Sequence, residues 1–93
     1  MATKNLFVLY KCDERHNKSS YQLVGVFESK DKAIKELRPT LETIASEDFK
    51  DVGFSSSEMF LRDLIDNLKM FNQTQTLAEN YVIESVILNE INL

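Results

Sequence analysis

The stretch Asn5–Phe27, NLFVLYKCDERHNKSSYQLVGVF, decides how this sequence folds. It contains two apolar runs rich in β-branched and aromatic residues, Asn5–Cys12 and Tyr21–Phe27, on either side of a polar segment. This arrangement is typical of a β-hairpin. The connecting segment, Asp13–Ser20, is long for a hairpin loop. It is therefore either a binding loop or a mobile, solvated connection.

Both strands of the hairpin carry apolar side chains on both faces. In the first strand, strict alternation places Leu6, Val8, Tyr10 and Cys12 on one face and Phe7, Leu9 and Lys11 on the other. In the second strand it places Tyr21, Leu23, Gly25 and Phe27 on one face and Gln22, Val24 and Val26 on the other. A sheet with one solvated face normally alternates apolar and polar residues, so we expect cover on both faces, from the chain or from an oligomeric partner. Gly25 predicts a bulge or the close approach of another backbone.

A first amphipathic helix is predicted after the hairpin. Ser29 is a suitable N-cap, and apolar residues recur at helical spacing from about Lys30 to Ala45. Pro39 lies away from the apolar face, so we expect it to kink this helix toward the core, with the break on the solvent side. Two short helices joined at Pro39 are the alternative. An acidic linker, Ser46–Phe54, follows.

A second helix is predicted to begin at about Ser56. Ser55 and Glu58 form an S-x-x-E capping box, while Phe54 and Met59 form a hydrophobic staple. The expected apolar face consists of Phe60, Leu61, Leu64, Ile65, Leu68 and Phe71. The helix is expected to fray within the polar stretch Asn72–Thr76.

The Val- and Ile-rich segment Tyr81–Leu93 predicts a final strand. In this strand Val82, Val86 and Leu88 lie opposite Tyr81, Ile83, Ile87 and Ile91. The element order is β-β-α-α-β. It predicts one α+β domain over residues 1–93, with two helices packed on one face of a small three-stranded sheet.

Composition excludes several classes of function. The net charge is −4 and the basic residues are scattered, which argues against nucleic-acid binding. With one cysteine no intramolecular disulfide forms, so a reducing compartment is expected. The apolar run Leu6–Tyr10 is far too short for a signal core or a membrane span. We expect a cytoplasmic protein with no membrane contact.

Cys12 and His16 are the residues closest to a catalytic or metal-binding pattern. A structural zinc site needs four ligands, whereas the sequence has one cysteine and one histidine. A nucleophile–base pair would need a third group and an oxyanion site, and no glycine lies nearby to form one. Paired carboxylates such as Asp63 and Asp66 read as solvated charge. We expect no catalytic residue, no metal and no cofactor.

Two segments resemble a known group of proteins. Leu9–Glu14, LYKCDE, followed by Ser20–Val26, SYQLVGV, is similar to the opening of small uncharacterised proteins from Gram-positive bacteria and their phages. In that group a C-D-E turn precedes an S-M-[RK]-L-[IV]-G-V strand. Tyr81–Glu90 resembles their closing strand, although an aromatic residue often follows C-D-E where this sequence has Arg15. The resemblance covers about a third of the chain, and it implies a phage context in which small acidic proteins bind host proteins.

The remaining signal is apolar surface, because two helices cover only one face of a narrow sheet. The other face would expose Phe7, Leu9, Val24 and Val26, or the side chains opposite to them, unless the linker folds over it. With the loop, the candidate partner-contact residues are Phe7, Leu9, Asp13, Glu14, Arg15, His16, Val24 and Val26.

These residues predict a non-enzymatic protein-binding protein, one form of which is a phage-encoded inhibitor of a host defence protein. A self-associating structural subunit is an alternative, and so is a small-ligand or enzyme module at the Cys12–His16 turn. We also expect a homodimer built through the sheet, either face to face or by edge pairing.

Overall fold

The sheet and both helices have the expected order in the computed structural model, which describes residues 3–76 and 78–89. The elements are strands β1 (Thr3–Cys12) and β2 (Gln22–Phe27) with a short 3-10 helix (Lys18–Ser20) between them, helices α1 (Lys30–Asp48) and α2 (Ser57–Phe71), and strand β3 (Asn80–Asn89). The sheet is antiparallel with the strand order β2-β1-β3. The order β-β-α-α-β and the α+β class are therefore confirmed, and the last strand pairs with the first.

Both helices pack on one face of the sheet. Leu9, Tyr81 and Ile83 supply the sheet side of the core. The helix side consists of the buried residues Ala33, Ile34, Leu37, Leu41, Ala45, Phe60, Leu64 and Leu68. These are residues of the two predicted apolar helix faces, so the packing follows from their helical spacing.

Helix α1 is a single element that continues through Pro39. Its N-cap is Ser29, as expected, and the Ser29 hydroxyl accepts a hydrogen bond from the N–H of Lys32 at 3.1 Å. Pro39 is exposed, which places the missing hydrogen bond on the solvent side. The helix extends to Asp48, so the linker is shorter than predicted.

The linker covers the helices and not the far face of the sheet. Its apolar residues Phe49, Val52 and Phe54 pack against the core between sheet and helices. The Phe54 ring stacks on that of Phe60, with centroids 5.0 Å apart. The alternative in which this segment closes the other face is therefore wrong.

The start of helix α2 corrects the predicted capping box by one residue. The N-cap is Ser56, whose hydroxyl accepts a hydrogen bond from the N–H of Met59 at 3.2 Å. The Ser55 hydroxyl lies 3.0 Å from the Met59 sulfur instead. The helix ends at Phe71, which is 63% exposed and does not belong to the buried face, and Asn72 terminates it in the left-handed conformation (φ 64°).

Strand β2 contains the bulge that Gly25 predicted. Leu9 pairs with Gly25 and Tyr10 pairs with Leu23, which leaves Val24 as an extra residue. Leu23 therefore moves to the face of Tyr10, away from Gly25, contrary to strict alternation. A Cβ atom on Gly25 would lie 3.0 Å from the Phe27 ring. The glycine thus allows that ring to fold over the strand.

Strand β3 begins one residue earlier than predicted, at Asn80, and extends to Asn89. Residues 90–93, including Ile91, lie outside the described residues. Within the strand, Tyr81 and Ile83 face the helices, as their membership of the core shows. Val82 and Val86 take the opposite face, as predicted.

Candidate functional site

The sheet face opposite the helices, called the open face below, carries three rows of mainly apolar residues. The strand registers align them as Leu23–Tyr10–Val82, Val26–Val8–Glu84 and Leu6–Val86. Leu23 is 65% exposed, Val26 53% and Val86 40%, while Leu6, Val8 and Tyr10 are half-buried. Glu84 supplies the one charge in these described rows. Contiguous apolar surface on a small domain is typical of contact sites.

Two of the four strand residues predicted as contacts are not on this surface. Leu9 is fully buried and Phe7 packs against the core, because the helices occupy their face of the sheet. For these two residues the prediction is wrong, and the opposite set of Leu6, Val8 and Tyr10 takes their place. Val24 and Val26 are exposed as predicted, at 48% and 53%, and of the two only Val26 lies in the rows of the open face, since Val24 is the bulge residue.

At the loop end, part of the open face is covered. The rings of Tyr10 and Tyr21 lie with their centroids 5.1 Å apart. Burial raises the pKa of Tyr21, and the neighbouring ionisable groups of Cys12, Glu84 and Tyr10 raise it further. Cys12 and Val82 are buried at this end. On β1 and β3 this end of the face is therefore covered, whereas Leu23 on β2 stays exposed in the same row.

The loop after β1 is held by Asp13. Its carboxylate accepts hydrogen bonds from the N–H of Arg15 and of Asn17, each at 3.0 Å, and from the Asn17 amide at 2.9 Å. These hydrogen bonds lower the pKa of Asp13, and those from Asn17 have the largest effect. They do so because they stabilise the carboxylate form. The Asp13 N–H in turn donates to the Ser20 hydroxyl at 2.9 Å. Asp13 thus has a structural role, while Glu14 and Arg15 stay exposed.

His16 ties this loop to the segment before β3. Its backbone is left-handed (φ 58°), and its Nε2 donates to the Thr74 carbonyl oxygen at 2.8 Å. The Asn80 amide also reaches the loop, donating to the carbonyl oxygen of Glu14 at 3.3 Å. His16 is therefore a bridging residue of a fixed loop, not a freely presented contact.

Two fully buried polar residues behind this bridge were not predicted from the sequence. Thr74 donates through its hydroxyl to the Asn80 side-chain oxygen at 2.9 Å, and the same oxygen accepts from the N–H of Thr76 at 2.7 Å. The Thr74 hydroxyl accepts from the N–H of Tyr81 at 2.9 Å. Both lie in or next to a polar stretch that reads as a frayed helix end, and nothing in their local pattern distinguishes them from solvated residues.

The Cys12–His16 turn does not form an activated thiol. Cys12 is 3% exposed. Burial raises the pKa of its thiol, and the neighbouring Asp13 carboxylate raises it further. A thiol in that environment stays protonated at neutral pH and is a poor nucleophile. The geometry therefore gives no support to a catalytic cysteine at this turn.

Three further observations limit the other kinds of site. Across residues 3–76 and 78–89, no three His, Cys, Asp or Glu side chains come together in a way that could hold a metal ion. Neither described helix combines the length and the apolar character needed to cross a bilayer. No protein-family model, curated protein or solved structure matches the chain. The open face is therefore the surface from which a function is inferred.

Proposed function

We propose that this chain is a non-enzymatic protein that binds another protein through the open face of its sheet. The proposal is supported by the exposed side chains of Leu23, Val26 and Val86, which present apolar surface to water on that face. Exposed apolar patches with few charges are typical of the centre of a protein interface, where charged residues are depleted. Glu84 at one side would orient the partner.

A foreign protein is the partner that we propose for this face. The resemblance to proteins of Gram-positive bacteria and their phages extends the proposal to a host protein, with inhibition of a defence system as one form. Electrostatics favour a partner that is not strongly acidic, because the chain itself carries a net charge of −4. Self-association through the sheet is the other part of the proposal. A second copy stacked face to face would bury the open face, whereas edge pairing would leave it free.

A capture experiment with two matched variants tests this proposal. Val26→Asp places a charge on the open face, and Met70→Asp makes the same change at an apolar position of α2 that is 71% exposed. Both folds are checked by circular dichroism. Immobilised wild type and Met70→Asp are expected to retain the same protein from a Gram-positive bacterial lysate, while Val26→Asp loses it.

The control variant decides what a loss of capture means. Equal loss in both variants would indicate a general effect of added negative charge and would contradict a role for the open face. Retention by all three proteins would place the contact elsewhere. Failure of the wild type to retain any protein above background counts against a foreign partner.

A further inference from the structure

The two outer strands of the sheet differ in how well they could pair with another strand. Val24 interrupts β2 as a bulge, which breaks the regular edge that an added strand needs. The outer edge of β3 is covered at one place, where Gln73 forms a bridge to Val82. From Ser85 to Asn89 that edge has no strand partner among the described residues.

Hydrogen bonds at the covered end show which backbone groups of β3 point outward. The Ile83 N–H donates to the Asn72 carbonyl oxygen at 2.8 Å, and the Tyr81 carbonyl oxygen accepts from the Thr74 N–H at 3.0 Å. In an antiparallel sheet the N–H and C=O of every second residue point to the same neighbour. The outward groups farther along the strand therefore belong to Ser85, Ile87 and Asn89.

This free edge lacks the usual protection against pairing. Natural edge strands carry charges, prolines or bulges that prevent association with another chain. The sequence Ser85–Asn89, SVILN, contains no charged residue and no proline, and its register with β1 is regular. Val86 and Ile87 are 40% and 63% exposed.

We propose that a second copy of this chain adds to the free edge of β3, with the two β3 strands antiparallel about a two-fold axis at Ile87. This inference specifies the self-association included in the proposed function. Ile87 lies opposite Ile87 of the partner copy, and Ser85 lies opposite Asn89. Each of these pairs joins residues with outward backbone groups, so each exchanges two hydrogen bonds. Within Ser85–Asn89 no like charges meet in this register.

Of the registers open to the described residues of the free edge, Ser85–Asn89, this one pairs the most residues. An axis at Val86 would place Asn89 opposite Ile83, where Asn72 already occupies the edge. An axis at Ile87 pairs all five residues Ser85–Asn89 and stops short of that segment. A two-fold axis perpendicular to the sheet keeps both open faces on the same side. The dimer therefore has one continuous six-stranded sheet, and the two open faces join near Val86.

Disulfide trapping tests the register. Residues directly opposite each other in an antiparallel pair have Cα atoms about 4.5–5.5 Å apart, within the range that a disulfide spans. Under mild oxidation with diamide, the Ile87→Cys variant is expected to form a covalent dimer. Ser85→Cys is the matched control, because Ser85 lies opposite Asn89 and its two copies are more than about 10 Å apart. The wild type, with buried Cys12 alone, controls for the native thiol.

Light scattering of Ile87→Lys completes the test. Two lysines opposite each other repel, and position 87 is exposed, so this variant is expected to fold and to be monomeric where the wild type is dimeric. The inference is overturned if Ile87→Cys gives no more covalent dimer than Ser85→Cys, or if the wild type is a monomer. Neither result bears on capture of a foreign protein by the open face, so failure of the two proposals can be distinguished.

Discussion

The two faces of the sheet differ in what covers them more than in the residues they carry. Leu9 on one face is fully buried beneath the helices, whereas Leu23 on the other is 65% exposed. Both are leucines in strands with apolar neighbours. Apolar residues on both faces of a strand therefore indicate two surfaces to be buried, without requiring that one chain bury both. The uncovered face is the one available for another protein.

The largest expected effect compares the same substitution on the two faces. Leu9→Ala leaves a cavity in the core and should lower the free energy of unfolding by about 2–5 kcal/mol. Leu23→Ala removes a side chain that water already reaches, so it should change the free energy of unfolding by less than about 0.5 kcal/mol. Urea denaturation followed by circular dichroism measures both. Equal losses would mean that the open face is buried in solution.

The buried hydrogen bonds of Asn80 give the next largest expected effect on stability. Asn80→Ala leaves the Thr76 N–H and the Thr74 hydroxyl without the acceptor they share, which should cost about 1–3 kcal/mol. Asn67→Ala is the control. Asn67 makes one side-chain bond to Asp63 on helix α2, and alanine is the better helix former. The melting temperature of the Asn80 variant should be well below that of the Asn67 variant. The reverse order would contradict a stabilising role for the Asn80 hydrogen bonds.

Helix α2, which covers one face, depends in part on its N-cap. Ser56→Ala removes the acceptor for the Met59 N–H and should cost about 1 kcal/mol. Ser55→Ala removes only a contact with the Met59 sulfur and should be neutral within about 0.5 kcal/mol. Chemical denaturation of both variants shows whether Ser55 or Ser56 caps the helix. A larger loss of unfolding free energy for Ser55→Ala would support Ser55 as the N-cap, as the capping box predicts.

The smallest expected effect is the pH dependence of the loop after β1. Folding lowers the pKa of Asp13, so its stabilising contribution is fully present above the ordinary aspartate pKa of about 3.9. It is lost as the pH falls through the lower, folded-state value. Asp13→Asn should therefore flatten the acid limb of the stability profile below about pH 4. Asp51→Asn, which removes the same charge at an exposed turn position, is the matched control.

Local patterns were sufficient to predict the elements of this fold. Helical spacing located the buried faces of both helices, and the polar residue Ser29 capped the first. The N-cap of the second helix was misplaced because three consecutive serines, Ser55–Ser57, offer adjacent capping registers. The spacing alone does not distinguish them, and the hydrogen bond from the Met59 N–H to the Ser56 hydroxyl shows which one the helix uses.

The candidate site could be predicted only as a choice between two faces. Alternation grouped Leu9 with Phe7 and separated both from Val8, but it could not show which group the helices cover. The bulge at Val24 then moved Leu23 to the open face, an effect that depends on pairing with another strand. The roles of Thr74 and Asn80 depend on contacts with distant residues, as the bond from Asn80 to Glu14 illustrates.

The molecular mass of Val26→Asp at micromolar concentration tests most directly whether the open face is left free. A monomer has a mass of 10.8 kDa. If two copies pair through β3, light scattering should give about twice that mass for both the wild type and Val26→Asp, because Val26 lies on β2, far from the paired edge. A dimeric wild type that Val26→Asp converts to a monomer would contradict the account, since a second copy would then cover the open face itself.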